Sequence, residues 1–154
     1  MANAILVINA GSSSLKFSVF GIPRAGELRM LVVGQVEGLG TAPRLKARNG
    51  EGTILADVQW GTAEVANHAQ ALQEIAALLR SRSDGLELAG VGHRVVHGGA
   101  DYSAPLLITP QAMENLAAFV PLAPLHQPHN LAAIRAVQEV RPDLPQVACF
   151  DTAF

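Results

Sequence analysis

The stretch Ala4–Phe20, AILVINAGSSSLKFSVF, constrains the fold more than any other part of the chain. Its apolar run Ile5-Leu6-Val7-Ile8 has the length and β-branched content of a buried strand. A small, hydroxyl-rich segment follows, Asn9-Ala10-Gly11-Ser12-Ser13-Ser14. Beyond it Leu15, Phe17 and Val19 alternate with Lys16 and Ser18, the period of a strand and not of a helix. Two strands joined by a turn of small residues make a hairpin. Small residues let backbone N–H groups approach an anion, the hydroxyls add donors, and Lys16 adds a point charge. A P-loop would need a second glycine directly before the lysine and a helix after it, and neither is present. The turn therefore suits phosphate in a hairpin setting; an ordinary polar hairpin turn is the other reading of the same residues.

The remaining chain alternates in a way that fixes the class. Leu28–Glu37 is strand-like, and Leu45–Arg48 with Thr53–Val58 flank Asn49-Gly50, a hairpin signal because both central positions can adopt positive φ. Residues 1–58 thus read as a meander. A helix is expected from Gly61-Thr62, capped by Thr62 with Glu64 in its first turn. Its stripe is Val65, Ala69, Leu72, Ala76 and Leu79, and Gly85 ends it. Leu88–His97 is the next strand. Thr109-Pro110 opens a helix to about Phe119, and Pro128 opens another with Leu131, Ile134, Val137 and Val140 apolar. The strand Gln146–Asp151 closes the series. A meander followed by alternating helices and strands is α/β, with a mixed sheet and flanking helices.

Composition removes several classes of function. A formal charge of −2 and a pI near 6.2 argue against nucleic acid. Cys149 is the sole cysteine, so no internal disulfide forms, and it reads as a small buried hydrophobe in a reducing compartment. No apolar run approaches a membrane span, and the expected location is cytoplasmic. A hydrophobic fraction of 49% with mean hydropathy +0.26 suggests surface that more protein would cover.

A second constellation is Val91–Gly99, VGHRVVHGG. Strand alternation puts His93, Val95 and His97 on one face and Arg94 with Val96 on the other. Arginine beside an aliphatic side chain suits a short carboxylic acid, the guanidinium taking the carboxylate and valine the alkyl end. From the residues alone, a structural arginine paired with a local acid is the favoured reading. A zinc pair His93/His97 would need a helix, and the glycines and valines argue for a strand.

INAGSSSLKFSVF is similar to the opening signature of the acetate kinase (acetokinase) family. VGHRVVHGG, PLAPLHQPHN and VACFDTAF, at residues 91–99, 121–130 and 147–154, resemble three further stretches of it. The family usually has asparagine at Gln127 and VAVFDTAF at the last stretch. The resemblance implies an actin-like ATPase (ribonuclease H-like) fold and reversible phosphoryl transfer from ATP to acetate. It implies that Gly11, Ser12, Ser14 and Lys16 hold nucleotide phosphates and that Asn9 helps hold Mg²⁺. It implies that Arg94 contacts substrate and the transferring phosphoryl group, that Val96 and Leu125 line the alkyl pocket, and that His126 lies near the phosphate. Asp151 would orient hydrated Mg²⁺ or a neighbouring side chain, because a carboxylate substrate is already ionised and has no proton to give up. Known members are more than twice as long, with further catalytic residues and most of the adenosine pocket in a second half. Residues 1–154 are thus expected to be the N-terminal domain of a two-domain kinase whose C-terminal domain is absent, inactive alone and homodimeric when complete. A propionate or butyrate kinase, or a nucleotide-binding module without catalysis, are the alternatives.

Overall fold

The structure, a computed structural model, describes residues 2–22, 29–61, 64–82, 86–95, 106–118 and 127–150. The N-terminal meander consists of β1 (Ala2–Ala10), β2 (Ser14–Ile22), β3 (Arg29–Glu37), β4 (Arg44–Asn49) and β5 (Ile54–Gln59), each antiparallel to the next. Then come α1 (His68–Arg82), β6 (Leu86–Val95), β7 (Leu106–Leu107), α2 (Pro110–Ala117), α3 (Gln127–Val140) and β8 (Gln146–Phe150). The strands form one mixed sheet in the order β5-β4-β3-β2-β1-β6-β8-β7. β6 is parallel to both β1 and β8, so the sheet changes from antiparallel to parallel pairing at β1.

The period-two pattern read from β1 and β2 decides the two faces. Leu6, Ile8 and Ala10 are buried, as are their cross-strand neighbours Leu15, Phe17 and Val19. On the same face α1 contributes Ala71, Leu72 and Ile75, and α3 contributes Ala133, Ala136 and Val137. A smaller cluster under α2 joins Val95, Leu116, Leu131, Ile134 and Ala148. All three helices among the described residues pack on this face. The opposite face carries Val7, Asn9, Lys16, Ser18, Gln35 and Lys46 and is covered by no described helix.

Three expectations need correction. First, α1 starts at His68, six residues after Thr62, which lies outside the described residues. Asn67 supplies the cap, its Oδ1 accepting from Gln70 N at 2.9 Å, while Gln70 Oε1 accepts from Ala66 N at 2.7 Å. This reciprocal pair satisfies amides that Thr62 would have left unmet. Glu64 sits in a turn before the helix, its N–H bonded to Gly61 O. Second, the β4–β5 turn places neither Asn49 nor Gly50 at positive φ; Gly52 does so, with φ 89. Asn49 Oδ1 instead accepts from Glu51 N and Thr53 N, each at 2.9 Å, a side-chain-stabilised turn one residue too long for a two-residue hairpin. Third, Cys149 is half-buried, because it faces the uncovered side of the sheet.

The two-residue β7, antiparallel to β8, was not anticipated. α2 follows expectation: Thr109 caps it through Oγ1 to Ala112 N at 3.1 Å, and Pro110 opens it. Gly85, the expected stop of α1, lies outside the described residues.

Candidate phosphate-binding site

The turn between β1 and β2 is tied from inside by its own backbone and from below by two helices. Gly11 N donates to Ser14 O at 2.9 Å, and Leu39 N donates to Ser13 O at 3.0 Å. Beneath the turn Asn130 Nδ2 donates to Ala10 O at 3.3 Å, and His68 Nε2 lies 2.7 Å from Gly11 O. A carbonyl only accepts, so His68 Nε2 carries the proton. A Cβ at Gly11 would stand 2.6 Å from Ser14 Oγ, so alanine there forces the hydroxyl to swing away. Ser12 and Ser13 remain exposed at the tip.

On the uncovered face the ladder sets polar residues in rows. Asn9 pairs with Lys16, Lys16 with Gln35, Gln35 with Lys46, and Lys46 with Asp57. Asn9, Lys16, Ser18, Gln35, Lys46 and Asp57 line one concave cavity of about 620 Å³. Asp57 is held by Arg44, Oδ1 to Nε and Oδ2 to Nη2 at 2.9 Å each. The guanidinium pushes the Asp57 carboxyl below its usual range, with a smaller contribution from Lys46. Both lysines of the chain thus stand in one row. The sequence reading assigned no role to Lys46, although a lysine on an alternating strand among nine arginines was the available signal.

Arg94 reaches the same face by a different route. Ile8 pairs with His93 across the parallel β1–β6 ladder, and one residue on, Asn9 and Arg94 turn together to the uncovered side. Arg94 is exposed, whereas His93 and Val95 are buried, as the alternation predicts. Asn9, Lys16 and Arg94 therefore lie on one face near the carboxyl ends of β1 and β6, where the pairing changes from antiparallel to parallel, the place open α/β sheets use for ligands. Ser14, two residues before Lys16 in β2, lines a neighbouring cavity of about 600 Å³ with Glu37, Arg44 and Trp60. Val96, Leu125, His126 and Asp151 lie outside the described residues.

His93 is engaged inside the core. It is 2% exposed, and burial lowers its pKa to about 4, so the imidazole is neutral. Gln146 Nε2 donates to Ile134 O at 3.3 Å, which fixes the amide and leaves Oε1 to accept from His93 Nε2 at 2.6 Å. Among the described residues no three His, Cys, Asp or Glu side chains gather as a ligand set. A magnesium ion bound mainly through nucleotide phosphates needs only one or two protein oxygens, and the half-buried Asn9 amide beside Lys16 fits that need. Also unassigned by the sequence reading were His68 and Asn130. A polar residue on the buried stripe of α3, Asn130, was the one visible sign.

The mixed eight-stranded sheet with its helices is an α/β fold of the actin-like ATPase type. The Acetokinase family profile matches residues 4–154, and the chain belongs to that family. It is 51% identical over 152 residues to an acetate kinase of Rhizobium meliloti, covering 99% of this chain and 38% of the relative. An acetate kinase of Nitrobacter hamburgensis is 47% identical over 154 residues, with 99% and 37% covered. The crystal structure of Porphyromonas gingivalis acetate kinase superposes with a TM-score of 0.86 at 34% identity, covering 99% of this chain and 38% of that one. A propionate kinase of Francisella tularensis gives 0.83 at 34% identity, covering 98% and 37%. The chain thus spans under two-fifths of the length of these relatives.

Proposed function

We propose that this chain is the N-terminal, phosphate-binding part of an acetate kinase, which transfers the γ-phosphoryl group of ATP to acetate and runs in reverse. The observation that carries the reading is that Asn9, Lys16 and Arg94 share one face, near the carboxyl ends of β1 and β6, beside the Gly11–Ser14 turn. Lys16 and the turn with Ser12 and Ser14 would hold the nucleotide phosphates, and Asn9 would offer its amide oxygen to a Mg²⁺ bound with them. Mg²⁺ contributes charge neutralisation when bound. A carboxylate oxygen of acetate forms the new bond to the γ-phosphorus as the bond to the bridging oxygen breaks and ADP departs. No proton is removed from the substrate, because the acid is already ionised.

Arg94 orients the carboxylate and stabilises charge on the equatorial phosphoryl oxygens, so catalysis is mostly positioning and electrostatics. In this reading Val96 and Leu125 limit alkyl length, His126 donates to developing charge, and Asp151 orients the hydrated ion or a neighbour. The complete enzyme is cytoplasmic and homodimeric, with a second domain closing over the nucleotide.

A second reading, a propionate kinase, is favoured by the propionate kinase among the superposing structures. One methylene in an apolar pocket discriminates by only about 1–3 kcal/mol, so the two differ in rank order and not in machinery. The test is acyl hydroxamate formation by the complete gene product from MgATP, hydroxylamine and acetate, propionate or butyrate. Turnover falling with chain length supports acetate as substrate. A maximum at propionate favours the second reading, and folded protein with no turnover overturns both.

A further inference from the structure

The residue beneath the phosphate turn is His68, 57 positions away in sequence and only 8% exposed. Its Nε2–H donates to Gly11 O at 2.7 Å. Its ring packs against His129 of α3, centroids 5.4 Å apart and planes inclined by 37°. Two helices therefore set the direction of one peptide carbonyl.

A trans peptide is planar, and its C=O and N–H point in opposite directions. No peptide bond among the described residues is cis. Drawing Gly11 O down toward α1 consequently turns the N–H of Ser12 away from the helices, toward the uncovered face that bears Asn9 and Lys16. The neighbouring amides are occupied: Gly11 N–H bonds to Ser14 O, and Ala10 O accepts from Asn130. Among the described residues the Ser12 N–H has no acceptor. An outward-facing backbone donor beside a lysine is a receptor for an anionic oxygen.

We propose that His68 is a positioning residue for nucleotide binding: by holding the Gly11 carbonyl it aims the Ser12 amide at a phosphate oxygen. The proposal rests on the phosphate-binding reading given above. Without His68 the peptide is free to flip, and the donor is lost although every residue of the turn is intact. His68 touches no substrate in this arrangement and acts entirely through the Gly11–Ser12 peptide.

The complete gene product tests this with His68→Gln and His68→Met, side chains of equal length that differ in possessing an N–H donor. MgATP affinity by titration calorimetry is expected to fall about tenfold for His68→Met and to stay near wild type for His68→Gln, the scale of one charge-assisted hydrogen bond. The KM for the carboxylic acid should be unchanged in both. In ¹⁵N-labelled protein, the Ser12 amide resonance should move on adding MgADP in the wild type and in His68→Gln, and stay still in His68→Met. Equal MgATP affinity in all three, or equal loss in both variants, overturns the proposal. If His68→Met does not fold, His68→Asn, whose amide is one methylene short of the carbonyl, replaces it with the same expected loss. Asn9→Ala and Lys16→Ala are measured in parallel. If those two bind MgATP as wild type does, the phosphate site itself is misplaced; if they lose affinity while His68→Met does not, only the positioning role fails.

Discussion

A single buried imidazole gives the molecule a built-in acid sensitivity. His93 titrates near pH 4 when folded and near 6.5 when unfolded. Below pH 6.5 the unfolded chain takes up a proton that the folded chain refuses, so stability falls as pH drops and reaches its full loss near pH 4. The penalty is roughly 3 kcal/mol at the acid end. His93→Gln removes it, and urea melts between pH 6.5 and 4 should show a slope shallower by about one proton; an unchanged slope would mean that other groups set the acid limb. Arg94 belongs to the same scale. In the complete enzyme Arg94→Lys should lower kcat about 10²-fold or more, because a point charge cannot reproduce a planar fork against carboxylate and phosphoryl oxygens. Recovery to within a few-fold of wild type in the hydroxamate assay would demote Arg94 to a screening charge.

At the scale of elements, close approach sets different limits on different glycines. A Cβ on Gly34 in β3 would lie 2.6 Å from Lys46 O and 2.8 Å from the Phe17 ring. Gly34→Ala should therefore cost about 1–3 kcal/mol through steric strain. Gly52, with φ 89 and open space around its missing Cβ, should cost about 1 kcal/mol as alanine, from backbone conformation alone. Thermal melts of the two variants test the order, and a larger shift for Gly52→Ala would reverse it. Elements whose signals are local were legible in the sequence: the strand period of β1 and β2, the Thr109-Pro110 start of α2, the stripe of α3. The start of α1 was not, since Thr62 offers a cap as good as Asn67 until Gln70 is seen to complete a reciprocal pair. β7 was invisible because two residues carry no period. Within the site, counting along each strand set Lys16 apart from Leu15 and Phe17, and Arg94 apart from His93 and Val95; that these residues and Asn9 share a face came from the register. His68 joined them only through long-range packing, which no local pattern records, and Lys46, outward-facing by its own alternation, through the register of β4 on β3.

Among the described residues the sheet carries helices on one face and none on the other. Ile8 is 1% exposed under the helices, while its neighbour Val7 is 37% exposed on the other face. Ile8→Ala should destabilise this chain by about 2–5 kcal/mol, and Val7→Ala by less than about 1 kcal/mol. Comparable losses in denaturant midpoints would show that the face bearing Val7 is packed against something. The face without helices keeps Val7 and Ile54 at the surface, among Asn9, Ser18 and Arg48.

The position of β1 in the sheet also bears on how the chain acquires its shape. β1 is paired on one side with β2, its immediate successor, and on the other with β6, whose first residue is Leu86. Pairings within β1 to β5 join near neighbours in sequence, so they close quickly, whereas β1–β6 contact must wait for a long loop to be drawn in. During synthesis, Gln59 completes the meander before any of α1 or β6 has been made. Through that interval the free edge of β1, AILVI, is an unpaired apolar template. A ribosome pausing between residues 60 and 86 would hold the protein in its most aggregation-prone form, and chaperone capture should peak there and fall once Val95 has cleared the exit tunnel.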